Sequence, residues 1–279
     1  MYDSCVVVIV TYNSQKHIQW ALEGLESSIN KLTVMIVDSG STETSYLDFL
    51  TTKHKLIIEK QDNVGFVAGN NFAIEKSYKA KWILLLNPDA RIEGSDLDKL
   101  LAIAENKQNK NIALFSVPLV RFDINAMKPL GVYDSLGIRC NSYGKWYDIG
   151  ANNSVKCNRS DLHKIKVDAV CGAFMLLRYK ALAQSPDKLG KIGFESSYYM
   201  YKEDIELSLR LQKNNWDIKL IESLNAYHCR GWNPSRIKIP YWARYHSAKN
   251  DIDVSIRYKI RALPYALAKY LWVRFFERK

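Results

Sequence analysis

Strand-like and helix-like segments alternate along the first 120 residues of the chain. The β-branched run over 6–12 is typical of a strand buried on both faces, and Ile18, Leu22, Leu25 and Ile29 then recur at helical spacing. Further strands are predicted over 32–38, 55–60, 82–86 and 112–120. Helices are predicted over 42–52, from about 69 to 79 after a glycine-containing loop over 63–69, and over 95–109. This alternation predicts an α/β fold around a parallel sheet.

Polar residues follow three of the predicted strands, at 11–14, 38–42 and 87–89. Asn87 precedes a proline, which disfavours the helical region and places it extended at the end of its strand. Ligands of open α/β sheets bind outside the carboxyl ends of the strands. One crevice is therefore expected to collect all three clusters.

The second half of the chain is less regular. Residues 123–166 predict loops or a hairpin lining a site, and 169–177 predict a buried strand. Over 198–212 the apolar residues alternate with a period of two, as in a strand. The abundance of Glu, Leu, Arg and Gln there favours a helix, and we predict a helix.

Basic residues concentrate at the C-terminal end. The 279 residues include 40 Lys/Arg and 29 Asp/Glu, and 236–279 alone hold eleven basic and three acidic residues. Such an excess favours nucleic acid, nucleotides or an anionic membrane as partner. Because aromatic residues are interleaved with these charges, we expect a basic amphipathic helical tail at a membrane surface. The alternatives are a helix packed on the core, an oligomer contact and a nucleic-acid arm. Pro264 should kink or split the predicted helix.

Cysteine usage and hydropathy exclude several protein classes. The five cysteines are scattered without a zinc-type pair, which predicts neither a disulfide framework nor a structural zinc site and favours a reduced cytosolic compartment. No apolar run approaches 18 residues, so no membrane span is expected. The N-terminal apolar run lacks a preceding basic region, and we predict no signal peptide.

Seven segments, in order, resemble glycosyltransferase family 2, with its GT-A fold, and in particular the rhamnosyltransferase-like branch of that family. They are VTYNS (10–14), VDSGSTE (37–43), NVGFVAGNN (63–71), LLLNPDA (84–90), GAFMLLR (172–178), YMYKEDIELSLRL (199–211) and HCRG (228–231). The resemblance implies a GT-A catalytic domain over 1–235, with a nucleotide-binding half to about 120 and an acceptor half from 121, followed by the tail over 236–279.

The first three segments correspond to the family's nucleotide site. The resemblance implies that Asp38 receives the pyrimidine base, and a carboxylate suits a ring N–H as partner. A turn or helix-cap role for Asp38 is the alternative reading. The remaining candidates of these segments are Thr11, Tyr12, Asn13, Asn63, Gly65, Gly69 and Asn70.

Asn87-Pro88-Asp89 stands where the family has its metal-binding Asp-x-Asp motif. The resemblance implies a Mg²⁺ or Mn²⁺ ion that bridges the phosphates of the nucleotide, with Asp89 and His228 as ligands and Asn87 beside the donor. Asn87 in place of Asp removes one carboxylate. A strand-ending turn, and a structural histidine, are the alternatives.

Glu203-Asp204 matches the Glu-Asp motif of the family. The resemblance implies that Asp204 is the base that takes the acceptor's proton, with Glu203 as its neighbour, and that the anomeric carbon is inverted. The division of roles between the two stays open, and an acidic first helical turn is the alternative. Arg230, Arg244 and His246 are candidates to neutralise the diphosphate, or else part of a basic surface.

The combined prediction is an inverting glycosyltransferase. The resemblance implies transfer of L-rhamnose from dTDP-L-rhamnose to a lipid-linked glycan, in bacterial surface polysaccharide or O-antigen synthesis at the inner face of the cell membrane. UDP-galactofuranose and a UDP-N-acetylhexosamine are alternative donors. A nucleotidyltransferase would carry a glycine-rich loop after strand one, and VTYNSQKH has no glycine. A nucleic-acid-binding protein leaves Asp38, Asp89, Glu203 and Asp204 unexplained, so no nucleic acid is expected, and these carboxylates argue against a catalytically dead scaffold.

Overall fold

The computed structural model describes residues 4–155, 162, 165–230 and 239–278. The strands in chain order are β1 (Cys5–Thr11), β2 (Thr33–Ser39), β3 (Lys55–Gln61), β4 (Trp82–Leu86), β5 (Ala90–Arg91), β6 (Ile112–Ser116), β7 (Leu119–Asp123), β8 (Lys128–Ser135), β9 (Ile138–Cys140), β10 (Trp146–Asp148), β11 (Phe174–Arg178), β12 (Asp217–Leu220) and β13 (Ala226–His228). The α-helices are α1 (Ile18–Leu25), α2 (Gly65–Lys76), α3 (Gly94–Glu105), α4 (Tyr179–Ala183), α5 (Glu203–Lys213), α6 (Tyr241–Tyr258) and α7 (Leu263–Phe276).

A seven-stranded sheet in the order β12-β6-β11-β4-β1-β2-β3 forms the centre of the molecule. Side chains of β1 alternate between two apolar clusters, one on each face, because both faces are covered. The prediction of an α/β sheet is confirmed. The prediction that it is parallel holds for β1 to β4, whereas β11 runs antiparallel to β4 and β6 and makes the sheet mixed.

The strand predicted over 112–120 is in fact two strands. β6 belongs to the central sheet, and β7 belongs to a second sheet in the order β5-β13-β7-β8. Pro118 lies between them, and a proline has no N–H with which to continue a ladder. The region predicted as loops or a hairpin, 123–166, contains β8, which pairs antiparallel with the preceding β7, and then the antiparallel pair β9–β10.

Several helix boundaries differ from prediction, and the helix predicted over 95–109 ends at Glu105 as α3. α1 ends at Leu25, and Ile29 is 91% exposed instead of lying on the buried face. The carboxylate of Asp98 accepts hydrogen bonds from Ser28 Oγ and from the Ile29 N–H, and these bonds stop the helix. α2 begins at Gly65 and not after Gly69, so most of the predicted loop is helical.

Gly65 can start α2 because it has no side chain. Its φ is +85°, and a Cβ there would lie 2.5 Å from the ring of Tyr199. The short helix predicted over 42–52 is a 3₁₀ helix over Ser45–Phe49. The helix predicted over 198–212 is confirmed as α5, which begins five residues later, at Glu203, so residue composition outweighed the period-two pattern.

The basic tail forms two helices, α6 and α7, with Pro264 in the first turn of α7, as predicted. α6 packs on α5. Val254 is fully buried, the hydroxyl of Tyr258 donates to Glu206 at 2.6 Å, and Arg257 lies 3.0 Å from Glu206. The first tail helix is therefore part of the core. Among the described helices, none is long and apolar enough to cross a membrane.

We predict that Glu206→Ala lowers the free energy of unfolding by about 3–5 kcal/mol, because it leaves the buried Arg210 without its carboxylate and removes one of the three carboxylates that contact Arg257. Urea unfolding measures the loss. Asp96→Ala, which removes the surface partner of Lys99, serves as control and should cost at most about 1 kcal/mol. Similar losses in the two variants would contradict the prediction.

Candidate active site

Two adjoining cavities lie at the carboxyl ends of β1 and β4. The aromatic cavity, of about 490 Å³, is lined by Thr11, Tyr12, Asn63, Gly65, Tyr199, Trp242 and His246, among others. The central cavity, of about 330 Å³, is lined by Asn87, Gly172, Glu203, Asp204, His228 and Arg230, among others. Phe66 and Met200 line both cavities. The structure thus brings most of the predicted site residues to one crevice.

Asp204 stands in the first turn of α5 and faces the loop before β11. The Gly172 N–H donates to Oδ2 at 2.9 Å, and the Ile205 N–H donates to Oδ1 at 2.8 Å. Burial raises the pKa of Asp204, and these two hydrogen bonds oppose that rise because they stabilise the ionised form. A Cβ on Gly172 would lie 3.2 Å from that of Asp204, so the close approach needs a small residue.

Glu203 lies beside Asp204 in a different environment. It is buried, and its Oε2 has no hydrogen-bond partner within the described part of the chain. Burial, and secondly the charge of Asp204, raise the pKa of Glu203 to about 8. Two neighbouring buried carboxyls resist ionising together. Near neutral pH Glu203 therefore retains its proton, whereas the two hydrogen bonds at Asp204 favour the ionised form of that carboxyl.

The turn before this pair is strained and is held by α6. Tyr201 and Lys202 both have φ of +70°, at a cost of about 1–3 kcal/mol each. The buried Asn250 donates from Nδ2 to the carbonyls of Met200 and Tyr201, at 3.1 and 2.8 Å. Asp251 lies 3.4 Å from Lys202 Nζ. Sequence reasoning missed both α6 residues, because only the fold brings them beside residues 50 positions earlier.

His228, at the end of β13, lies between two carboxylates. Its Nδ1 is 2.8 Å from Asp134 Oδ2, and its Nε2 is 3.4 Å from Asp89 Oδ1. Burial lowers the pKa of His228, but the two carboxylates outweigh that effect and raise it to about 9. The hydrogen bond to Asp134 fixes the ring so that Nε2 faces Asp89, which is the usual arrangement of a metal-binding histidine.

Asp134, on β8, was also missed from the sequence. It is buried and contacts Arg230 at 2.7 Å as well as His228. Although burial raises its pKa, the hydrogen bonds and positive charges of His228 and Arg230 lower it to about 2. Arg230 also reaches Asp148, at 3.1 Å. A buried carboxylate in a region predicted as loop has no sequence pattern that would single it out.

Asp89 and His228 can hold one divalent cation together. Oxygen or nitrogen ligands of a cation stand roughly 3 Å apart, and Asp89 Oδ1 and His228 Nε2 are 3.4 Å apart. Among the residues that the structure describes, no group of three or more His, Cys, Asp or Glu could hold a metal ion. Such an ion would therefore depend on oxygens from a bound ligand to complete its coordination.

The aromatic cavity offers partly exposed aromatic side chains. Tyr12 and Trp242 are about half exposed, and the rings of Trp242 and His246 lie 6.4 and 5.5 Å from that of Tyr199. The hydroxyl of Tyr199 donates to Asn63 at 2.7 Å. Aromatic rings beside amide and hydroxyl groups suit a planar heterocycle, which needs stacking and a few hydrogen bonds.

Two other predicted nucleotide-site residues make contacts within the protein at the edge of this cavity. Asp38 is buried, and its carboxylate accepts hydrogen bonds from Ser41 N–H at 3.0 Å and Ser41 Oγ at 2.5 Å. Such hydrogen bonds are expected if Asp38 stabilises the turn, which is the alternative role given for it in the sequence analysis. Asn13 accepts from Thr42 N–H at 3.0 Å and joins the ends of β1 and β2.

The remaining predicted residues lie away from the aromatic cavity's lining. Gly69 lets α2 approach β1, since a Cβ there would lie 3.0 Å from Val10, and Asn70 donates to the carbonyl of Phe66 within α2. Arg244 is on α6, 3.0 Å from Glu277, and lines a third cavity described below.

We predict that Glu203→Gln flattens the pH dependence of stability. Between about pH 4.5 and about pH 8 the folded state retains a proton on Glu203 that the unfolded chain releases, so the free energy of unfolding falls as pH rises through this window. The glutamine cannot titrate and removes this contribution. Urea unfolding at pH 5, 6.5 and 8 measures the slope. The exposed Glu75→Gln serves as control, and an equal slope in all three proteins would refute the prediction.

Comparison with known proteins identifies the family of the chain. The model of "Glycosyl transferase family 2" matches residues 6–183, more than half of the chain. A low-salt glycan biosynthesis hexosyltransferase of Haloferax volcanii is 24% identical over 250 residues, covering 86% of this chain and 72% of the relative. An N-acetylglucosaminyl-diphospho-decaprenol L-rhamnosyltransferase of Mycobacterium tuberculosis is 23% identical over 264 residues, covering 89% and 83%.

The fold is also similar to that of solved glycosyltransferases. A mannosyltransferase of Pyrobaculum calidifontis, solved with GDP-mannose and Mn²⁺, superposes with a TM-score of 0.58 at 14% identity, covering 99% of this chain and 71% of that one. The sheet, the helices on both of its faces and the crevice at its carboxyl edge are those of the GT-A fold. The chain therefore belongs to glycosyltransferase family 2 and is a glycosyltransferase.

Proposed function

We propose that the protein transfers L-rhamnose from dTDP-L-rhamnose to a hydroxyl group of a lipid-linked glycan, with inversion, during synthesis of a bacterial surface polysaccharide or O-antigen. One observation carries the proposal: the aromatic cavity adjoins the central cavity, which is lined by Glu203 and Asp204, and the two cavities share Phe66 and Met200. A nucleotide in the first cavity would present its sugar to the carboxylates in the second.

The aromatic cavity binds the nucleoside in this proposal. Tyr12 and Trp242 supply exposed rings for the base, and Thr11 and Asn63 supply hydrogen-bonding groups at the same wall. The diphosphate then extends toward Asn87 and Asp89 at the end of β4. This direction follows the general placement of ligands at the carboxyl edge of α/β sheets.

Asp204 acts as the base. It takes the proton from the acceptor hydroxyl while that oxygen forms a bond to the anomeric carbon of the donor. The bond from this carbon to the diphosphate oxygen breaks, and the diphosphate leaves with the electron pair. Attack opposite the leaving group inverts the carbon. Glu203, protonated near neutral pH, can donate a hydrogen bond to the acceptor.

Asp89 and His228 would hold a divalent cation together with the diphosphate of the donor. A cation held there would supply positive charge beside the leaving diphosphate. The imidazole ligand favours Mn²⁺ over Mg²⁺, and the mannosyltransferase of similar fold was solved with Mn²⁺. Because Asn87 replaces a carboxylate, the protein contributes few charged ligands, and nucleotide should strengthen the binding of the ion.

The donor sugar is tested by a turnover panel. dTDP-L-rhamnose, UDP-galactofuranose and UDP-N-acetylglucosamine are each incubated with N-acetylglucosaminyl-diphospho-prenol, and the products are analysed by mass spectrometry. The rhamnosyltransferase relative supports the first donor, and the hexosyltransferase relative keeps the others as alternatives. A product from only one of the other donors would replace rhamnose in the proposal while leaving the reaction class intact.

We predict that Asp204→Asn lowers turnover by about 10²–10⁴-fold, because the amide cannot accept the proton. The asparagine side chain has nearly the same shape as aspartate, so the affinity of the variant for nucleotide should stay within about twofold when measured by calorimetry. The exposed Asp217→Asn serves as control and should keep full turnover. Turnover of Asp204→Asn close to that of the unmodified protein would assign the base elsewhere.

The second tail helix carries the proposed contact with the membrane. Leu267, Leu271, Trp272, Phe275 and Phe276 of α7 are 42–67% exposed. Arg274 and Arg278 are near them in sequence, and cations beside exposed aromatic side chains suit an anionic lipid surface. Arg257 and Lys259 instead pair with carboxylates of the protein and do not belong to this proposed membrane-facing surface.

We predict that Leu271→Glu combined with Phe275→Glu reduces cosedimentation with phosphatidylglycerol vesicles at least tenfold, because both changes put charge where apolar groups would enter the lipid. Ile29→Glu, at an exposed apolar side chain far from α7 in the chain, serves as control. Truncation before Val254 is unsuitable because it removes buried core residues. Equal sedimentation of both variants, or none by the unmodified protein, would refute the membrane contact.

A further inference from the structure

A third cavity lies between α6 and α7, on the far side of the carboxylate pair. This helix-pair cavity, of about 350 Å³, is lined by Arg230, Ala243, Arg244, Ser247, Lys269 and Val273, among others. Tyr201, Arg230 and Ser247 line both it and the central cavity. The three cavities therefore form a row, with Glu203 and Asp204 in the middle one.

The lining of the helix-pair cavity is cationic. It includes Arg230, Arg244 and Lys269, and none of the described lining residues is acidic. Each cation is anchored by a carboxylate: Arg230 by Asp134, Arg244 by Glu277 and Lys269 by Asp251. Anchored side chains lose little conformational freedom when a ligand binds. The cavity thus presents fixed N–H donors to an anionic group, and the paired carboxylates offset part of its positive charge.

Two features define the ligand further. Arg244 Nε is buried and has no hydrogen-bond partner in the described part of the chain, so an anionic oxygen there would satisfy a donor that is otherwise unpaired. Ala243 and Val273 line the same cavity with apolar groups, and the exposed apolar side chains of α7 continue along the helix. A ligand with an anionic group attached to a hydrocarbon chain fits this combination.

We propose that the helix-pair cavity binds the diphosphate of the lipid-linked acceptor. This inference rests on the proposed function and adds the acceptor subsite to it. The nucleoside of the donor occupies the aromatic cavity, and the acceptor diphosphate occupies the opposite end of the row. Arginine and lysine side chains bind phosphate oxygens through charge-assisted hydrogen bonds. The acceptor sugar then extends from Arg230 and Ser247 toward Asp204, and the prenyl chain extends along α7.

The test measures binding without donor sugar and without turnover. Farnesyl diphosphate, farnesol, inorganic pyrophosphate and dTDP are each titrated into the full-length protein by calorimetry. We expect farnesyl diphosphate to bind at least tenfold more tightly than either farnesol or pyrophosphate. Arg244→Gln and Lys269→Gln should each weaken its binding about 10-fold or more, while affinity for dTDP stays within twofold.

Lys249→Gln removes an exposed lysine from the same helix and serves as the matched control, with affinities unchanged. Arg244→Lys keeps the charge and should weaken farnesyl diphosphate binding less than Arg244→Gln. Melting curves of all variants identify any that fail to fold. If Arg244→Gln does not fold, the affinity of Arg244→Lys for farnesyl diphosphate is compared with that of the unmodified protein instead.

Three results would overturn the subsite. In the first, farnesyl diphosphate binds no more tightly than pyrophosphate or farnesol. In the second, the two glutamine variants bind farnesyl diphosphate as tightly as Lys249→Gln does. In the third, the affinity for dTDP falls together with that for farnesyl diphosphate, which would assign the cations to the donor site. None of these results depends on the turnover measured for Asp204→Asn. A failed subsite and a failed transfer reaction are therefore distinguished.

Discussion

The buried carboxylate of Glu206 joins the helix that carries the proposed base to the C-terminal helix pair. It accepts hydrogen bonds from Arg210 of its own helix and from Tyr258 of α6, and it pairs with Arg257. A buried charge is tolerable only when it is paired and hydrogen-bonded, so α5 and α6 depend on each other for their position. The crevice at the sheet edge is complete only while this contact holds.

α6 consequently shapes all three cavities. Trp242 and His246 form a wall of the aromatic cavity, Asn250 holds the strained turn before Glu203, and Arg244 lines the helix-pair cavity. Two consecutive left-handed residues persist only where surrounding contacts fix them, and the hydrogen bonds from Asn250 provide those contacts. A helix expected from sequence as a membrane-surface tail thus also positions the carboxylates of the site.

The central cavity contains two groups of carboxylates whose pKa values are shifted in opposite directions. Glu203 and Asp204 share a buried region whose burial raises the pKa of both carboxyls. Asp134, by contrast, is surrounded by His228 and Arg230, and its pKa falls to about 2. The first environment suits a group that must accept a proton near neutral pH, and the second keeps a permanent charge that orients His228.

Sequence alone determined the α/β class, the strands β1 to β4, the helical nature of 203–213 and the family, because these depend on local patterns and ordered motifs. It also brought Glu203, Asp204, Asp89 and His228 forward as candidates. Only the tertiary structure decided that β11 runs antiparallel and that α6 lies in the core. Asp134, Asn250 and the cationic cavity also needed the fold. Their partners are distant in the chain, and no local pattern encodes a contact that exists only after packing.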